Sequence, residues 1–218
     1  MKHSQAMAVN DPSASTSAMR PACANTMAYY DTHAEEYFNS SVNVDLHELY
    51  EPFFRELRKG AHILDAGCGS GRDTKAFLDR GYRVTAIDAS PQLVRLATAF
   101  TGQPCEVLRF QEMEFREQFD GLWACASLLH VPKHELNNVM QRFVSALKSK
   151  GVFYISLKEG EGEHVAEDGR FFQYYTEDSF RAVLRGFPSL VEIAFWKTKE
   201  VRSSRHTELW LSFLLKKR

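Results

Sequence analysis

The sequence predicts an α/β fold in which a largely parallel sheet carries helices on both faces. From residue 62 onward, short apolar segments alternate with amphipathic ones, which is typical of strands joined by crossover helices. Glycines follow the first apolar segment directly, within residues 62–73, as they do where a strand turns sharply into a helix. With 218 residues, 44% of them hydrophobic, the chain is expected to form one domain with a substantial core.

Two helices are expected ahead of the sheet. Aromatic residues are dense over 27–38, and an apolar stripe of helical spacing runs from Leu46 to Leu57. Pro52 lies inside that stripe and predicts a kink or a restart of the second helix.

The rest of the chain follows the strand and helix alternation. The patterns predict strands at 62–66, 82–87, 105–109, 119–126 and 151–157, and helices at 72–80, 91–100 and 133–148. A last helix begins near Thr176, and strands at 190–199 and 207–216 would form an antiparallel hairpin at one edge of the sheet.

Composition excludes several classes of protein. The formal net charge is −1, so no overall field would attract nucleic acid or an anionic membrane, and no DNA or membrane partner is expected. No apolar run approaches the ~18 residues that span a bilayer. The four cysteines show no Cys-x-x-Cys pairing, which fits free thiols in the cytoplasm. Residues 1–26, rich in Ser, Ala and Met, predict a disordered tail ahead of a domain over 27–218.

The glycine-rich turn indicates a nucleotide-like ligand. Gly67, Gly69 and Gly71 follow a strand and allow the backbone to approach a ligand closely. Their Gly-x-Gly-x-Gly spacing is one residue short of the dinucleotide pattern, which weakens the case for a pyrophosphate. About seventeen residues after Gly71, the second strand ends at Asp88, whose carboxylate can accept both hydroxyls of a ribose. Together these residues predict an adenosine site without phosphates.

Residues 65–71, Asp-Ala-Gly-Cys-Gly-Ser-Gly, together with Asp88 resemble motifs I and II of class I S-adenosylmethionine-dependent methyltransferases. Residues 119–130 are similar to the fourth strand and following loop of bacterial small-molecule methyltransferases, the group that includes tellurite-resistance-type enzymes. The resemblance runs from about residue 27 to the C-terminus. It implies a Rossmann-like, seven-stranded, mostly parallel sheet with an antiparallel last strand, and S-adenosylmethionine as the cofactor.

The resemblance also implies which residues meet the cofactor. The candidates are the three glycines and Asp88 together with Tyr30, Tyr37, Asp65, Arg72, Ala89, Gln111, Glu112, Met113 and Ser127. Some have a second interpretation. Arg72 starts a helix and is as well suited to solvent, Asp65 could order backbone amides, and Glu112 could be a surface acid. Core packing explains one or two of the N-terminal tyrosines equally well, although their faces would attract a sulfonium.

Candidate catalytic and substrate-binding residues follow the later strands. His130 lies after the fourth strand and suits a general base, or else it fills the turn before the next helix. The long loop over 158–175 would act as a lid or substrate wall, with Lys158, Arg170, Tyr174 and Tyr175 facing the pocket and the two tyrosines as further catalytic candidates. Arg202, in the last hairpin turn, would join these cations and favour an anionic acceptor. No metal is required.

The sequence therefore predicts an enzyme that methylates an O, N or S atom of a small molecule. Two alternatives stay open: a methyltransferase for tRNA or protein, and a non-catalytic S-adenosylmethionine-binding module. The run after the fourth strand, Ala126-Ser-Leu-Leu, lacks the Asp/Asn-Pro-Pro-aromatic pattern of DNA amino-methyltransferases. Cys125 follows Ala124 rather than proline, which disfavours a cytosine C5 mechanism.

Overall fold

The computed structural model describes residues 21–200 and 208–218. Its strands are β1 (His62–Ala66), β2 (Arg83–Asp88), β3 (Glu106–Val107), β4 (Phe119–Ala124), β5 (Leu147–Lys158), β6 (Glu163–Val165), β7 (Phe171–Gln173), β8 (Leu190–Lys199) and β9 (Leu209–Lys217). Seven of them form one sheet in the order β3-β2-β1-β4-β5-β9-β8. β1 to β5 are mutually parallel, and β9 runs antiparallel to both of its neighbours. The predicted seven-stranded, mostly parallel sheet with an antiparallel last strand is confirmed.

The α-helices are α1 (Pro21–Thr32), α2 (Ala34–Ser41), α3 (His47–Arg55), α4 (Arg72–Asp79), α5 (Pro91–Thr101), α6 (Lys133–Ala146) and α7 (Glu177–Leu184). The single helix expected over 27–38 is two helices that meet at His33, and α3 continues through Pro52. Helix α1 begins at Pro21, so residues 21–26 belong to a helix rather than to the expected tail. The prediction of disorder for residues 1–20 lies outside the described residues.

Helices cover both faces of the sheet, and each face holds a large apolar cluster. On one face, α3 and α4 bury an aromatic cluster around Tyr50, Phe53, Phe77, Trp123 and Tyr154. On the other face, α6 and α7 cover a larger cluster that includes the inward residues of β4, β5 and β9. A parallel sheet of this kind is stable only when both faces are covered, and residues 63–66 of β1 and 151–158 of β5 are accordingly buried without interruption.

Strand register brings the functional loops together. Ala66 of β1 pairs with Ile87 of β2, and Asp65 pairs with Trp123 of β4. The three strands therefore end at one edge of the sheet, where the segments that follow Ala66, Asp88 and Ala124 meet. This edge is where ligands bind in open α/β sheets.

The long loop after β5 contains structure that the sequence patterns did not predict. β6 and β7 pair as a short antiparallel hairpin, with His164 opposite Phe172. Phe171 of this hairpin donates its N–H to Thr26 Oγ1 of α1 at 2.7 Å, so the hairpin is fastened to the N-terminal helix. Over residues 21–200 and 208–218, no helix combines the length and the apolar character needed to cross a membrane.

Candidate functional site

The turn between β1 and α4 is built so that only glycine fits at its key position. Gly67, Gly69 and Gly71 have positive φ angles of 81°, 53° and 79°, a region that side chains other than glycine rarely occupy. The N–H groups of Gly67 and Cys68 donate to the carbonyl of Ile87 at 2.8 and 2.9 Å. A Cβ at Gly67 would lie 2.4 Å from Ser127 Cβ. The turn is therefore pressed against both β2 and the segment after β4.

Asp88 organises the end of β2. Its Oδ2 accepts from the N–H of Gly69 and its Oδ1 from the N–H of Ser90, both at 2.9 Å. Burial raises the pKa of Asp88, and the backbone N–H groups around it act in the opposite sense. Ser90 caps α5 by accepting from the N–H of Leu93 at 3.2 Å. The carboxylate is thus held between two loops at the carboxyl edge of the sheet.

A cavity of about 130 Å³, which we name the Asp88 cavity, opens between these loops. Apolar side chains line its inner part, among them Leu93, Leu108, Phe110 and Val131. The glycine turn and Asp88 form one side. Tyr30, Tyr37 and His130 also line the cavity, and the two tyrosines belong to α1 and α2.

Tyr30 and His130 form a hydrogen-bonded pair at this cavity. His130 Nδ1 lies 2.7 Å from the carbonyl of Phe171, and because a carbonyl only accepts, Nδ1 carries the proton. Nε2 then accepts from the hydroxyl of Tyr30 at 3.0 Å. Burial lowers the pKa of His130 to about 4, although the bond to Phe171 opposes this. His130 is therefore neutral near pH 7, with both ring nitrogens engaged.

A second cavity, of about 530 Å³, lies on the other side of the glycine turn, and we name it the Trp210 cavity. It is lined by the segment over 44–49, the glycine turn and the ends of β5, β8 and β9. The sheet supplies one wall of this cavity through Tyr154, Ser156, Trp210 and Ser212. Glu200, directly after β8, also lines it. Glu200 is buried, and its carboxylate accepts from Trp210 Nε1 at 3.3 Å.

The two cavities adjoin each other. Tyr37, Gly67, Cys125 and Ala126 line both. Ala126 has a φ angle of 53°, a left-handed conformation that is unfavourable for alanine, and its N–H donates to Ser156 Oγ at 2.8 Å. The segment after β4 is thus held in a strained shape at the junction, where a group from one cavity can meet a group from the other.

The chain is similar to known methyltransferases. A family model described as a methyltransferase domain matches residues 63–151. An uncharacterized methyltransferase of Staphylococcus carnosus is 25% identical over 148 residues, which cover 67% of this chain and 68% of that protein. Residues 63–151 thus match a methyltransferase domain, and these similarities support a class I S-adenosylmethionine-dependent methyltransferase.

Two further similarities agree with this assignment. The ubiquinone biosynthesis O-methyltransferase of Xanthomonas campestris is 29% identical over 104 residues, so the alignment spans only 43% of that enzyme and 44% of this chain. The Burkholderia thailandensis 1,6-didemethyltoxoflavin-N1-methyltransferase has a TM-score of 0.75 at 22% identity, covering 96% of this chain and 93% of that chain. At that identity the likeness shows a shared fold.

The Asp88 cavity suits the adenosine portion of S-adenosylmethionine. An apolar slot fits a flat base, and a carboxylate at the end of β2 fits a ribose. At Gly69 an added Cβ would lie 3.1 Å from the ring of Tyr37, so a side chain there would intrude on the cavity wall. In the described part of the chain, no group of three or more His, Cys, Asp or Glu is arranged to hold a metal ion.

Most cofactor candidates expected from the sequence reach a cavity. The Asp88 cavity is lined by Tyr30, Tyr37, Gly67, Gly69, Asp88, Ala89, Gln111, Ser127 and His130, and Arg72 lines the Trp210 cavity. Ser127 Oγ donates to the carbonyl of Ala66 at 2.7 Å, so its side chain secures the turn and does not point freely into the cavity.

Four cofactor candidates line neither cavity. Asp65 is buried and accepts from Thr74 Oγ1 at 2.5 Å, which ties the end of β1 to α4. Gly71 packs against α5, where an added Cβ would lie 2.9 Å from Thr101 Cγ2. Glu112 pairs with Arg109 on the surface, and Met113 is in the core. These placements correct the expectation of direct contact.

The expected lid residues lie outside both cavities as well. Lys158 is buried and forms an ion pair with Glu208 at 2.8 Å. Arg170 binds Asp168 at 2.6 Å and stacks over Tyr29, 4.4 Å from its ring centroid. Tyr175 is packed against Phe180, and Tyr174 belongs to the same loop. Core packing and local ion pairs thus hold the four residues expected to face the pocket, and Arg202 lies outside the described residues.

Sequence reasoning missed the walls of the Trp210 cavity. Tyr154 and Ser156 are alternate residues of β5, and Trp210 and Ser212 are alternate residues of β9. Alternate residues of a strand lie on the same face of the sheet. This spacing was the signal in the sequence that could have grouped the residues of each strand. Nothing local shows that β9 lies beside β5, so the shared surface could not be inferred.

Proposed function

We propose that this methyltransferase acts on an O, N or S atom of a small molecule bound in the Trp210 cavity. The observation that carries the proposal is the junction of the two cavities at Tyr37, Gly67, Cys125 and Ala126. A volume of about 530 Å³ falls in the range of roughly 300–1,000 Å³ that small-molecule sites occupy. The acceptor and the donor would meet at the strained segment after β4.

On the donor side, the chain binds S-adenosylmethionine and shields it from water. Bound S-adenosylmethionine supplies a methyl group on a sulfonium, which is open to in-line displacement. Asp88 would accept from the ribose hydroxyls, and the glycine turn would allow close backbone approach. The rings of Tyr30 and Tyr37 exclude water from the cavity and present faces that attract a cation.

On the acceptor side, the chain orients the methyl acceptor. Tyr154 hydroxyl and Ser212 Oγ lie 3.0 Å apart, and Glu200 supplies a carboxylate bonded to the indole N–H of Trp210. These groups suit a planar or ring-containing acceptor that also donates hydrogen bonds. Alignment of this kind contributes much of the rate in a displacement reaction.

His130 has no place on the acceptor side. It lines the Asp88 cavity and not the Trp210 cavity, and its Nε2 already accepts from Tyr30. We therefore replace the expectation that His130 removes a proton from the acceptor with a role in fixing Tyr30. The expected anionic acceptor also loses support, because Lys158 and Arg170 are bound to Glu208 and Asp168.

The named relatives favour a small acceptor. The Burkholderia neighbour is named for 1,6-didemethyltoxoflavin and the Xanthomonas relative for ubiquinone biosynthesis. Neither name identifies the acceptor of this chain. They support a search among metabolites ahead of tRNA or protein.

A transfer screen tests the proposal. Radiolabelled methyl transfer would be measured against metabolite pools, tRNA and protein. The acceptor found would then be used with two matched variants, one at Glu200, directly after β8, and one at Glu192 within β8. Glu200→Gln should raise the acceptor KM while leaving S-adenosylhomocysteine affinity unchanged, because Glu200 lines only the Trp210 cavity. Glu192→Gln removes a carboxylate that pairs with Arg181 and should change neither. Methylation confined to tRNA or protein, or binding without any transfer, would overturn the proposal.

A further inference from the structure

Asp73 is the most extensively bonded carboxylate of the site. It is 6% exposed, and Tyr50 hydroxyl and Trp123 Nε1 donate to it at 2.6 and 2.8 Å. Arg72 donates from Nε to Oδ1 at 2.7 Å and from Nη2 to Oδ2 at 3.0 Å. Four donors from three elements therefore converge on one carboxylate beside the glycine turn.

The bonds to Asp73 leave one edge of Arg72 available. A guanidinium presents five N–H donors in a planar fork, and Asp73 occupies the edge formed by Nε and Nη2. Arg72 Nη1 makes no hydrogen bond within the described part of the chain. Arg72 lines the Trp210 cavity, close to where that cavity adjoins the Asp88 cavity. Its outer edge, Nη1 with Nη2, is thus held in place for a second planar anion.

Electrostatics support a charged pair at this position. Burial would raise the pKa of Asp73, but the charge of Arg72 and the hydrogen bonds from Arg72, Tyr50 and Trp123 outweigh it, so the pKa is lowered. Asp73 therefore stays ionised near neutral pH. Asp65, the neighbouring carboxylate, has a pKa raised by burial and by the charge of Asp73.

We propose that Asp73 is a positioning residue that holds the Arg72 guanidinium so that its outer edge receives the carboxylate of the cofactor's methionine portion. This inference rests on the proposed function, and it requires the methionine portion of the donor to extend from the Asp88 cavity past the junction to Arg72 at the Trp210 cavity. Asp73 also lines the Trp210 cavity, but Arg72, Tyr50 and Trp123 already engage both of its carboxylate oxygens, so it acts through Arg72. It also links the cofactor side to α3, since Tyr50 follows the segment over 44–49 that lines the acceptor cavity.

Two ligands separate this role from a structural one. S-adenosylhomocysteine carries the amino-acid carboxylate, and 5′-methylthioadenosine has the same adenosine portion without it. Isothermal titration calorimetry would give the Kd of both ligands for the wild type and for Arg72→Gln, Asp73→Asn and the double variant. Asp79→Asn is the matched control, because Asp79 lies on the same helix but is exposed and paired with Lys75.

Asp73→Asn should weaken S-adenosylhomocysteine binding by about tenfold or more, the scale of lost charge-assisted hydrogen bonds. It should leave 5′-methylthioadenosine binding within about twofold. Arg72→Gln should show the same selective loss, and the double variant should lose no more than Arg72→Gln alone. Asp79→Asn should match the wild type for both ligands.

Equal weakening of both ligands by Asp73→Asn, or no weakening of either, would overturn the inference. So would losses that add in the double variant. Should Asp73→Asn fail to fold, Tyr50→Phe removes one donor to Asp73 and should still weaken S-adenosylhomocysteine selectively, and an absence of selectivity there would equally contradict the inference. Both ligands bind without an acceptor. If the transfer screen fails but calorimetry still shows this selectivity, the proposed function is rejected and the inference about Asp73 stands.

Discussion

Replacing Gly67 by alanine should lower the free energy of unfolding in two ways, through an unfavourable backbone conformation and through a steric overlap. Gly67 and Gly81 both have a φ angle of 81°, but an added Cβ at Gly81 meets nothing within 4 Å, whereas at Gly67 it would lie 2.4 Å from Ser127 Cβ. Gly81→Ala therefore reports the backbone cost alone. Gly67→Ala reports the same backbone cost together with a steric overlap.

The magnitudes follow from these geometries. A left-handed conformation costs an alanine about 1–2 kcal/mol, so Gly81→Ala should lower the free energy of unfolding by that amount. Overpacking adds roughly 1–3 kcal/mol, which brings Gly67→Ala to about 2–5 kcal/mol. For a domain of this size, each kcal/mol corresponds to a Tm shift of about 2–4 °C.

Urea unfolding and thermal melts of the two variants would measure the difference. Ser127→Gly should partly rescue Gly67→Ala because it removes the overlapping Cβ, whereas Ser127→Ala keeps that atom and should not. Gly67→Ala should also weaken S-adenosylhomocysteine binding, since Gly67 lines both cavities, while Gly81→Ala should not. Equal destabilisation by the two glycine variants would refute the reasoning.

Two further predictions concern Asp88 and His130. Asp88→Ala should weaken S-adenosylhomocysteine binding by about 1.5–3 kcal/mol, the cost of lost hydrogen bonds to a charged group; calorimetry showing unchanged affinity would contradict the ribose assignment. The folded pKa of His130 is about 4 against 6.5 for the free side chain, so the unfolded chain binds the extra proton and stability falls as the pH drops between these values. Relative to His130→Asn, the wild type should lose up to about 3 kcal/mol over that window in urea unfolding, and parallel pH dependences would show that His130 is not the cause.

Local patterns determined the order and type of most elements. Short apolar segments predicted β1, β2 and β4, and an apolar stripe of helical spacing predicted α6, because each is a property of neighbouring residues. Glycine spacing with Asp88 predicted the cofactor side for the same reason, since backbone approach and a strand-end carboxylate are features of short segments. The hairpin of β6 and β7 was missed, since its strands have three residues each and carry no clear period.

Side-chain partners came only from the tertiary structure. Tyr30 and His130 are 100 residues apart, yet they form a hydrogen bond and both line the Asp88 cavity. Lys158 was expected to meet an anionic acceptor, but β9 lies beside β5, and Glu208, the residue before β9, is its partner. The sequence by itself determined which chemistry is present, because residue types and short spacings are local. Only the tertiary structure decided which groups face the cavities, because strand order and register bring together residues that no local pattern connects.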